Sequence, residues 1–394
     1  MFGLFRKFLK VIPKYTRLYL FDLKETARYF LFYRRSRFNL WAFDRGFKDH
    51  GALPRKDKIL DRLLAAYRKA RLDEAGAPEP YRLRGEWEHI VRVTYARLVS
   101  ALQREDREAL NGLLQNFCRN ECTRGLAMSS DYFDLRYRLF NKYAYLCLFN
   151  DTFTSWKKRT SEDFDPARFG FPPIGNGIGL LVDGHLIPRA SIRHRYYAKR
   201  MLDLAGNGTI AEIGGGYGGF AYYVLKEGNG MVYLNFDLPE VLVIHGFLLL
   251  NAFPDKKIFL YGEISDWNEA IRSADAILYP HFAFSKLPDL SLDLVYNSRS
   301  MTEMDEATVR EYYKVIERVT RRYFFHVNHD DEDVYDSIRQ KKHVKLSRLS
   351  FPQAIFQTIF AMRPSLHDKH YFEYLYERRH SPSPVRQASG ISSI

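Results

Sequence analysis

Cysteine is scarce in this chain: Cys118, Cys122 and Cys147 are the only three among 394 residues. Three thiols make no disulfide scaffold. Cys118 and Cys122 could share a helix face, but a zinc site needs further ligands. Buried, reduced thiols in a cytoplasmic protein are the expectation, and no His/Asp spacing demands a metal. Long apolar runs are also missing. No stretch reaches the eighteen or so residues that a spanning helix needs. The first residues lack the small-residue cleavage site of a secretory signal. No nucleic-acid motif is present. Acid is in the minority, with 47 Asp and Glu against 60 Lys and Arg, a formal charge of +13. That balance favours anionic partners such as phosphorylated glycans, lipid head groups or nucleic acid, or reflects only an arginine-rich solvated surface.

Apolar residues are plentiful, at 46%, enough to build the core of one large or two ordinary domains. The first 48 residues interleave aromatics with Lys and Arg. Phe2, Phe5, Leu9 and Ile12 recur at helical spacing around Arg6, Lys7 and Lys10, and Pro13 stops that helix. Tyr19, Leu23, Tyr29, Phe30 and Tyr33 continue the pattern into Arg34-Arg35-Ser36-Arg37. A basic amphipathic helix with aromatics reads as an interfacial membrane anchor. Packing on its own domain or on a second copy of the chain is the alternative.

Residues 57–160 carry helical periodicity. Ile59, Leu60, Leu63, Leu64 and Tyr67 make one face, and Trp87, Ile90, Val91 and Tyr95 another. A helical cap is the simplest reading. Residues 161–190 are rich in Gly and Pro, with turn signals at Asn176-Gly177 and Asp183-Gly184. They are expected to form a lid or edge of the active site. A helix over Ser191–Leu204 follows, with Arg193, His194 and Arg195 near its start.

The chain is organised around Thr209–Asp237. Thr209–Ile213 reads as a buried strand. Gly214-Gly215-Gly216-Tyr217-Gly218-Gly219 is a turn nearly without Cβ atoms, and a helix runs from Phe220 to Lys226. A second strand, Met231–Phe236, ends in Asp237. Glycines let the backbone approach a ligand closely. An acid at the second strand tip suits ribose hydroxyls. Gly214-x-Gly216-x-x-Gly219 satisfies the dinucleotide fingerprint. Glu212 ahead of Gly214, Gly216 and Gly218 satisfies instead the acid-x-Gly-x-Gly-x-Gly pattern of S-adenosylmethionine-dependent methyltransferases. A carboxylate is awkward beside a pyrophosphate and suits a cationic, amine-bearing ligand, so Glu212 tilts the choice.

Further strands are expected at Lys257–Tyr261, Ala276–Tyr279, Leu292–Asn297 and Tyr323–Val327, with helices between them. Such alternation predicts a parallel sheet covered on both faces. Either of the first two could be the third strand of the sheet. Phe351–Arg363 reads as helical, Tyr371–Arg378 as a late strand, and 381–394 as disordered.

The segments EIGGGYGGFAYYVL, FDLPEVL, LYGE and LPDLSLDLVYNSRSMTEM resemble the family of sugar O-methyltransferases, best from about Asn176 to about Arg379. The resemblance implies an α/β fold, a Rossmann-like class I methyltransferase sheet, mostly parallel with its last strand antiparallel, behind a helical N-terminal domain. The expected divisions are 1–55, 56–160, 161–190, 191–380 and 381–394. The implied cofactor is S-adenosyl-L-methionine, held by Glu212, Gly214, Gly215, Gly216, Tyr217, Gly218, Asp237, Leu238 and Asn297. O-methylation requires a proton acceptor for the hydroxyl. His281, His329 and Glu303 are the candidates, and Arg299 stands beside them on the NSRSMTEM segment. The expected partners are a saccharide or glycan acceptor, an anionic membrane touched through residues 1–37, and a second copy of the chain. No nucleic acid is expected. The place implied is the cytoplasm, at the inner face of the cell membrane. An NAD(P)-dependent oxidoreductase or nucleotide-sugar-modifying enzyme, and a non-catalytic membrane-associated scaffold, are the competing readings.

Overall fold

Apolar runs that alternate with helical patterns build a layered sheet in this protein. The computed structural model describes residues 18–126, 140–329, 335–336, 341–342, 344–346, 349, 351–363, 366 and 371–379. A hairpin, β1 (Leu180–Val182) and β2 (His185–Ile187), precedes the main sheet. The strands that follow are β3 (Thr209–Ile213), β4 (Val232–Asp237), β5 (Ile258–Leu260), β6 (Ala276–Pro280), β7 (Leu292–Ser298) and β8 (Thr320–His329). A short pair, β9 (Tyr335–Asp336) and β10 (Lys341–Lys342), stands apart; β11 (Phe356–Met362) and β12 (Tyr371–Arg378) rejoin the sheet.

The sheet has the order β11-β12-β8-β7-β3-β4-β6-β5. From β5 to β8 every pairing is parallel, and β12 runs antiparallel between β8 and β11. This is the mostly parallel sheet with an antiparallel closing strand that the sequence led us to expect. The third-strand question has a definite answer: β6 pairs with β4, and β5 lies outside it at the edge. One segment takes the other kind of secondary structure. Phe351–Arg363 is not a helix; Phe356–Met362 is an edge strand paired with Tyr371–Arg378. Its apolar residues match helical spacing, but the open edge of β12 supplies a hydrogen-bonding ladder that overrides local preference.

Successive side chains on a strand point to opposite faces, and two cores result. Ile210, Tyr233, Tyr296 and Phe325 face helices Arg189–Ala205, Gly219–Glu227 and Pro239–Ala252. Ala211, Ile213, Leu234, Phe236, Val295 and Phe324 face helices Trp267–Ser273 and Glu306–Val319. Helix starts are capped as their sequences suggest: Asp305 accepts from the Thr308 amide at 2.8 Å, and Asp266 from those of Asn268 and Glu269.

The helices of 57–160 pack on the first core. Helix Asp57–Glu74 lies against Pro239–Ala252, with the Tyr67 hydroxyl donating to Glu240 at 3.2 Å. The chain then passes to the second core at Tyr81 and returns to the first at Ile90. Residues 80–87 are thereby carried past the sheet. Residues 161–190 are more ordered than a lid loop. They hold the turn Pro166–Phe169 and the β1–β2 hairpin, whose Asp183-Gly184 turn takes positive φ at both positions. All three cysteines are buried and unbridged. Burial pushes the Cys122 and Cys147 thiols up to about 12, which makes them inert.

Candidate functional site

In the parallel part of the sheet the chain order reverses between β3 and β7, which are neighbours in register Ile213↔Asn297. Ligand crevices form outside the carboxyl ends of strands at such a switch point. A cavity of about 410 Å³ lies here. Glu212 to Tyr217, Asp237 and Leu238 line it, together with Ser298, Arg299, Ser300 and Glu303. Pro80 to Arg84 and Trp87 form a further wall, and Arg189, Arg193, His194, His281 and Tyr371 also border it.

The glycine turn is built to a specific shape. Gly214 and Gly216 have φ of +72° and +58°, a region that L-residues rarely adopt. A Cβ on Gly214 would meet Ser300 Oγ at 2.3 Å, so the turn and the segment after β7 pack backbone to side chain. At Gly216 the nearest described atom to such a Cβ is Leu126 Cδ2 at 3.5 Å, an ordinary contact, so this position is the least crowded of the turn. The turn is held from β4. The Asn235 side chain accepts from the Gly215 amide at 3.0 Å, and Asp237 from the Gly216 amide at 2.8 Å. Asp237 also accepts from the Leu238 amide at 2.7 Å.

Two carboxyls are buried at these strand tips. Burial pushes Glu212 up to about 8, against the pull of the hydrogen bond it accepts from the Tyr233 hydroxyl. Burial pushes Asp237 up to about 7, despite its two amide donors. Desolvation is the dominant cause in both. His194 is held well below the usual histidine range, first by burial and then by the like charges of Arg193 and Arg299. It is therefore a neutral ring at neutral pH, with Nδ1 3.5 Å from the Tyr217 hydroxyl.

The segment after β7 takes an unusual backbone. Arg299 has φ of +74° and its amide donates to the Val327 carbonyl at 2.8 Å. Its guanidinium lies 4.0 Å from the Tyr371 ring centroid. Glu303 accepts a 2.8 Å hydrogen bond from Trp87 Nε1 on the far wall. His281 is 2.6 Å from the Tyr81 carbonyl through Nε2, and burial lowers its basicity.

Most of the residues singled out in the sequence meet here: Glu212, Gly214, Gly215, Gly216, Tyr217, Asp237, Leu238, His281, Arg299 and Glu303 all line the cavity. Three do not. Asn297 is fully buried beneath the turn, donating to the Ile213 carbonyl at 2.8 Å and accepting from Asn328 at 2.7 Å. It sits behind the lining because it points into the β3–β7 seam. Gly218 faces His245, whose ring would lie 2.8 Å from its Cβ. His329 lies behind Tyr371, ring centroids 3.7 Å apart, because β12 pairs these residues across the sheet. The expected lid is also misplaced: between 161 and 190 only Arg189 borders the cavity. Of the basic trio 193–195, Arg193 and His194 reach it, whereas Arg195 is buried in ion pairs with Glu162 and Glu227. Trp87 and Tyr371 carried no sequence signal beyond helix and strand periodicity, since their roles arise only when distant segments meet.

No protein-family model matches this chain, and no curated protein sequence matches it. Solved structures are similar to parts of it. The mitomycin 7-O-methyltransferase MmcR is 13% identical over 48% of this chain and 56% of its own, with a TM-score of 0.33. A SAM-dependent methyltransferase from Aquifex aeolicus is 13% identical over 55% of this chain and 100% of its own, with a TM-score of 0.35. The glycopeptide N-methyltransferase MtfA, complexed with S-adenosyl-L-methionine, is 13% identical over 47% of this chain and 87% of its own, with a TM-score of 0.33.

Proposed function

We propose that this chain is an S-adenosylmethionine-dependent methyltransferase whose acceptor is a sugar hydroxyl, in a surface glycan or polysaccharide. The observation that carries the reading is a single cavity that joins the glycine turn and its two buried acids to the Ser298–Glu303 segment. Its residues fit the cofactor. Gly216 borders the cavity, and among the described residues a Cβ there would meet only Leu126, at ordinary contact distance, so a ligand can approach this backbone. Asp237 spends one lone pair of each oxygen on an amide and keeps the others for ribose hydroxyls. Glu212, buried at the tip of β3, suits the amine-bearing end of a cationic ligand. The same carboxyl opposes a pyrophosphate and so speaks against an NAD(P) reading.

When bound, S-adenosylmethionine supplies an electrophilic methyl group on a sulfonium centre. The chain's own residues do the rest. Glu303 accepts the proton of the acceptor hydroxyl, and the Trp87 indole fixes that carboxylate. Arg299 offers hydrogen bonds to a hydroxyl-rich ring, and the face of Trp87 suits its apolar side. Two assays test the reading. Calorimetry with S-adenosylmethionine, S-adenosylhomocysteine and NAD should show heat for the first two only. Labelled cofactor offered with glycan, peptide and nucleic-acid pools should label glycan. Label in peptide or nucleic acid and none in glycan would overturn the acceptor; binding of NAD alone would overturn the cofactor.

A further inference from the structure

The first described helix is inside out. It runs over 18–28 and continues as the π-helical stretch Tyr29–Tyr33. Its acids point inward: Asp22 is 3% exposed and Glu25 8%. Arg28 and the Tyr33 hydroxyl both engage Asp151 on helix Asn141–Thr160, and Arg28 also pairs with Glu25 at 3.2 Å. Tyr29 is buried in the core at 2% exposure, but several of its apolar residues point outward: Leu20 is 61% exposed, Leu31 76% and Phe32 72%. The neighbouring helix Leu40–Gly46 adds Trp41, 65% exposed, with the Arg45 guanidinium 4.1 Å from its ring centroid. A surface helix in water carries the opposite pattern, and exposed apolar patches of this kind mark contact sites.

Charge identifies the occupant. Lys24, Arg34, Arg35 and Arg37 are exposed along the same stretch, and Asp44 is its one exposed acid. A two-fold contact between copies presents the same patch to itself, which would bring this basic run toward its own image. An anionic bilayer complements it instead: apolar and aromatic groups enter the headgroup region while Lys and Arg meet lipid phosphate. Among the described residues no helix is long and apolar enough to cross a membrane, so the contact is interfacial. We propose that Leu20, Leu31, Phe32 and Trp41, flanked by Arg34, Arg35 and Arg37, seat this protein on the surface of a bilayer that contains anionic lipid.

Vesicle flotation with the full chain tests this. The protein should float with vesicles of phosphatidylcholine mixed with phosphatidylglycerol, stay behind with phosphatidylcholine alone, and detach in high salt. The double variant Leu31→Glu, Phe32→Glu should bind about tenfold more weakly or worse, as should Arg34→Glu, Arg35→Glu. These side chains are exposed, so the thermal midpoint should not move. Sedimentation velocity covers the competing occupant. Failure to float with the anionic vesicles, equal flotation with both vesicle types, or binding unchanged in the variants overturns the proposal. So does a wild-type dimer that the Leu31→Glu, Phe32→Glu variant splits.

Discussion

The Trp87 indole nitrogen donates to Glu303 Oε2 across 2.8 Å, joining the helical region to the segment after β7. Both residues line the cavity, and the bond fixes one oxygen of a carboxylate that we assign as proton acceptor. Hydrogen bonds to charged groups contribute about 1.5–3 kcal/mol. Trp87→Phe should therefore lower kcat by roughly tenfold to a hundredfold and leave cofactor affinity unchanged. Glu303→Ala should lose about 10²–10⁴ in turnover. Single-turnover methyl transfer beside calorimetry checks both. A Trp87→Phe enzyme with wild-type kcat would remove Glu303 from this role.

Glu212 makes ligand binding and stability depend on pH in opposite ways. Its folded pKa, about 8, lies above the ordinary 4.5. Between those values the folded chain holds a proton that the unfolded chain has lost, so stability of the ligand-free protein falls as pH rises from 5 to 8. The slope is at most about 1.4 kcal/mol per pH unit for each such group. Asp237, raised to about 7, adds in the same direction from its ordinary 3.8 upward. A cationic ligand needs the ionised form of Glu212, so its affinity should rise with pH up to about 8 and then level off. Melting curves from pH 5 to 9, with and without S-adenosylmethionine, read both slopes. Glu212→Gln should remove the affinity slope and leave only the part of the stability slope that Asp237 contributes, and a wild-type affinity that is constant from pH 6 to 8 would contradict the assignment.

Among the described residues, Gly216 is the glycine of the turn where an added Cβ would make only an ordinary contact, with Leu126 Cδ2 at 3.5 Å. Gly216→Val should fold, with a loss of about 1–3 kcal/mol for a branched residue at positive φ, and should not bind S-adenosylmethionine. Circular dichroism establishes the fold and calorimetry the loss. Undiminished affinity in the folded variant would show that the ligand does not approach this backbone.

Strand, turn and acid along Thr209–Asp237 were legible because they are local: a five-residue strand, a six-position turn with five glycines and a strand tip close in sequence. The rest depended on distance. Phe356–Met362 reads as helix until the edge of β12 is present to pair with it. Asn297 and Asn235 look alike in sequence, each a polar residue near a strand end. Only the register shows that Asn297 braces the β3–β7 seam and Asn235 braces the turn. His329 stands at the expected strand tip, yet the antiparallel neighbour places Tyr371 in front of it. The inverted helix 18–33 was legible as aromatic and basic. Which face is inward is decided by Asp151, more than a hundred residues away.

Arg299 stands in the left-handed region at φ +74°, on the cavity wall, with its guanidinium over Tyr371. Non-glycine residues are held there only when their surroundings require it, and at functional sites that strain serves a geometry. Here the turn after β7 aims Arg299 at Tyr371 while its amide ties back to Val327. A pair of substitutions separates backbone from side chain. Arg299→Ala and Arg299→Gly both remove the guanidinium, and both should lower kcat/KM. Only glycine relieves the backbone, since a Cβ in this region costs about 1–2 kcal/mol. Glycine normally lowers stability relative to alanine by about 0.5–1 kcal/mol, through the entropy of the unfolded chain. At position 299 the order should invert, with Arg299→Gly melting above Arg299→Ala. Denaturant unfolding of the two variants measures the difference directly. If alanine proves the more stable, the strained turn is not the device that presents this arginine.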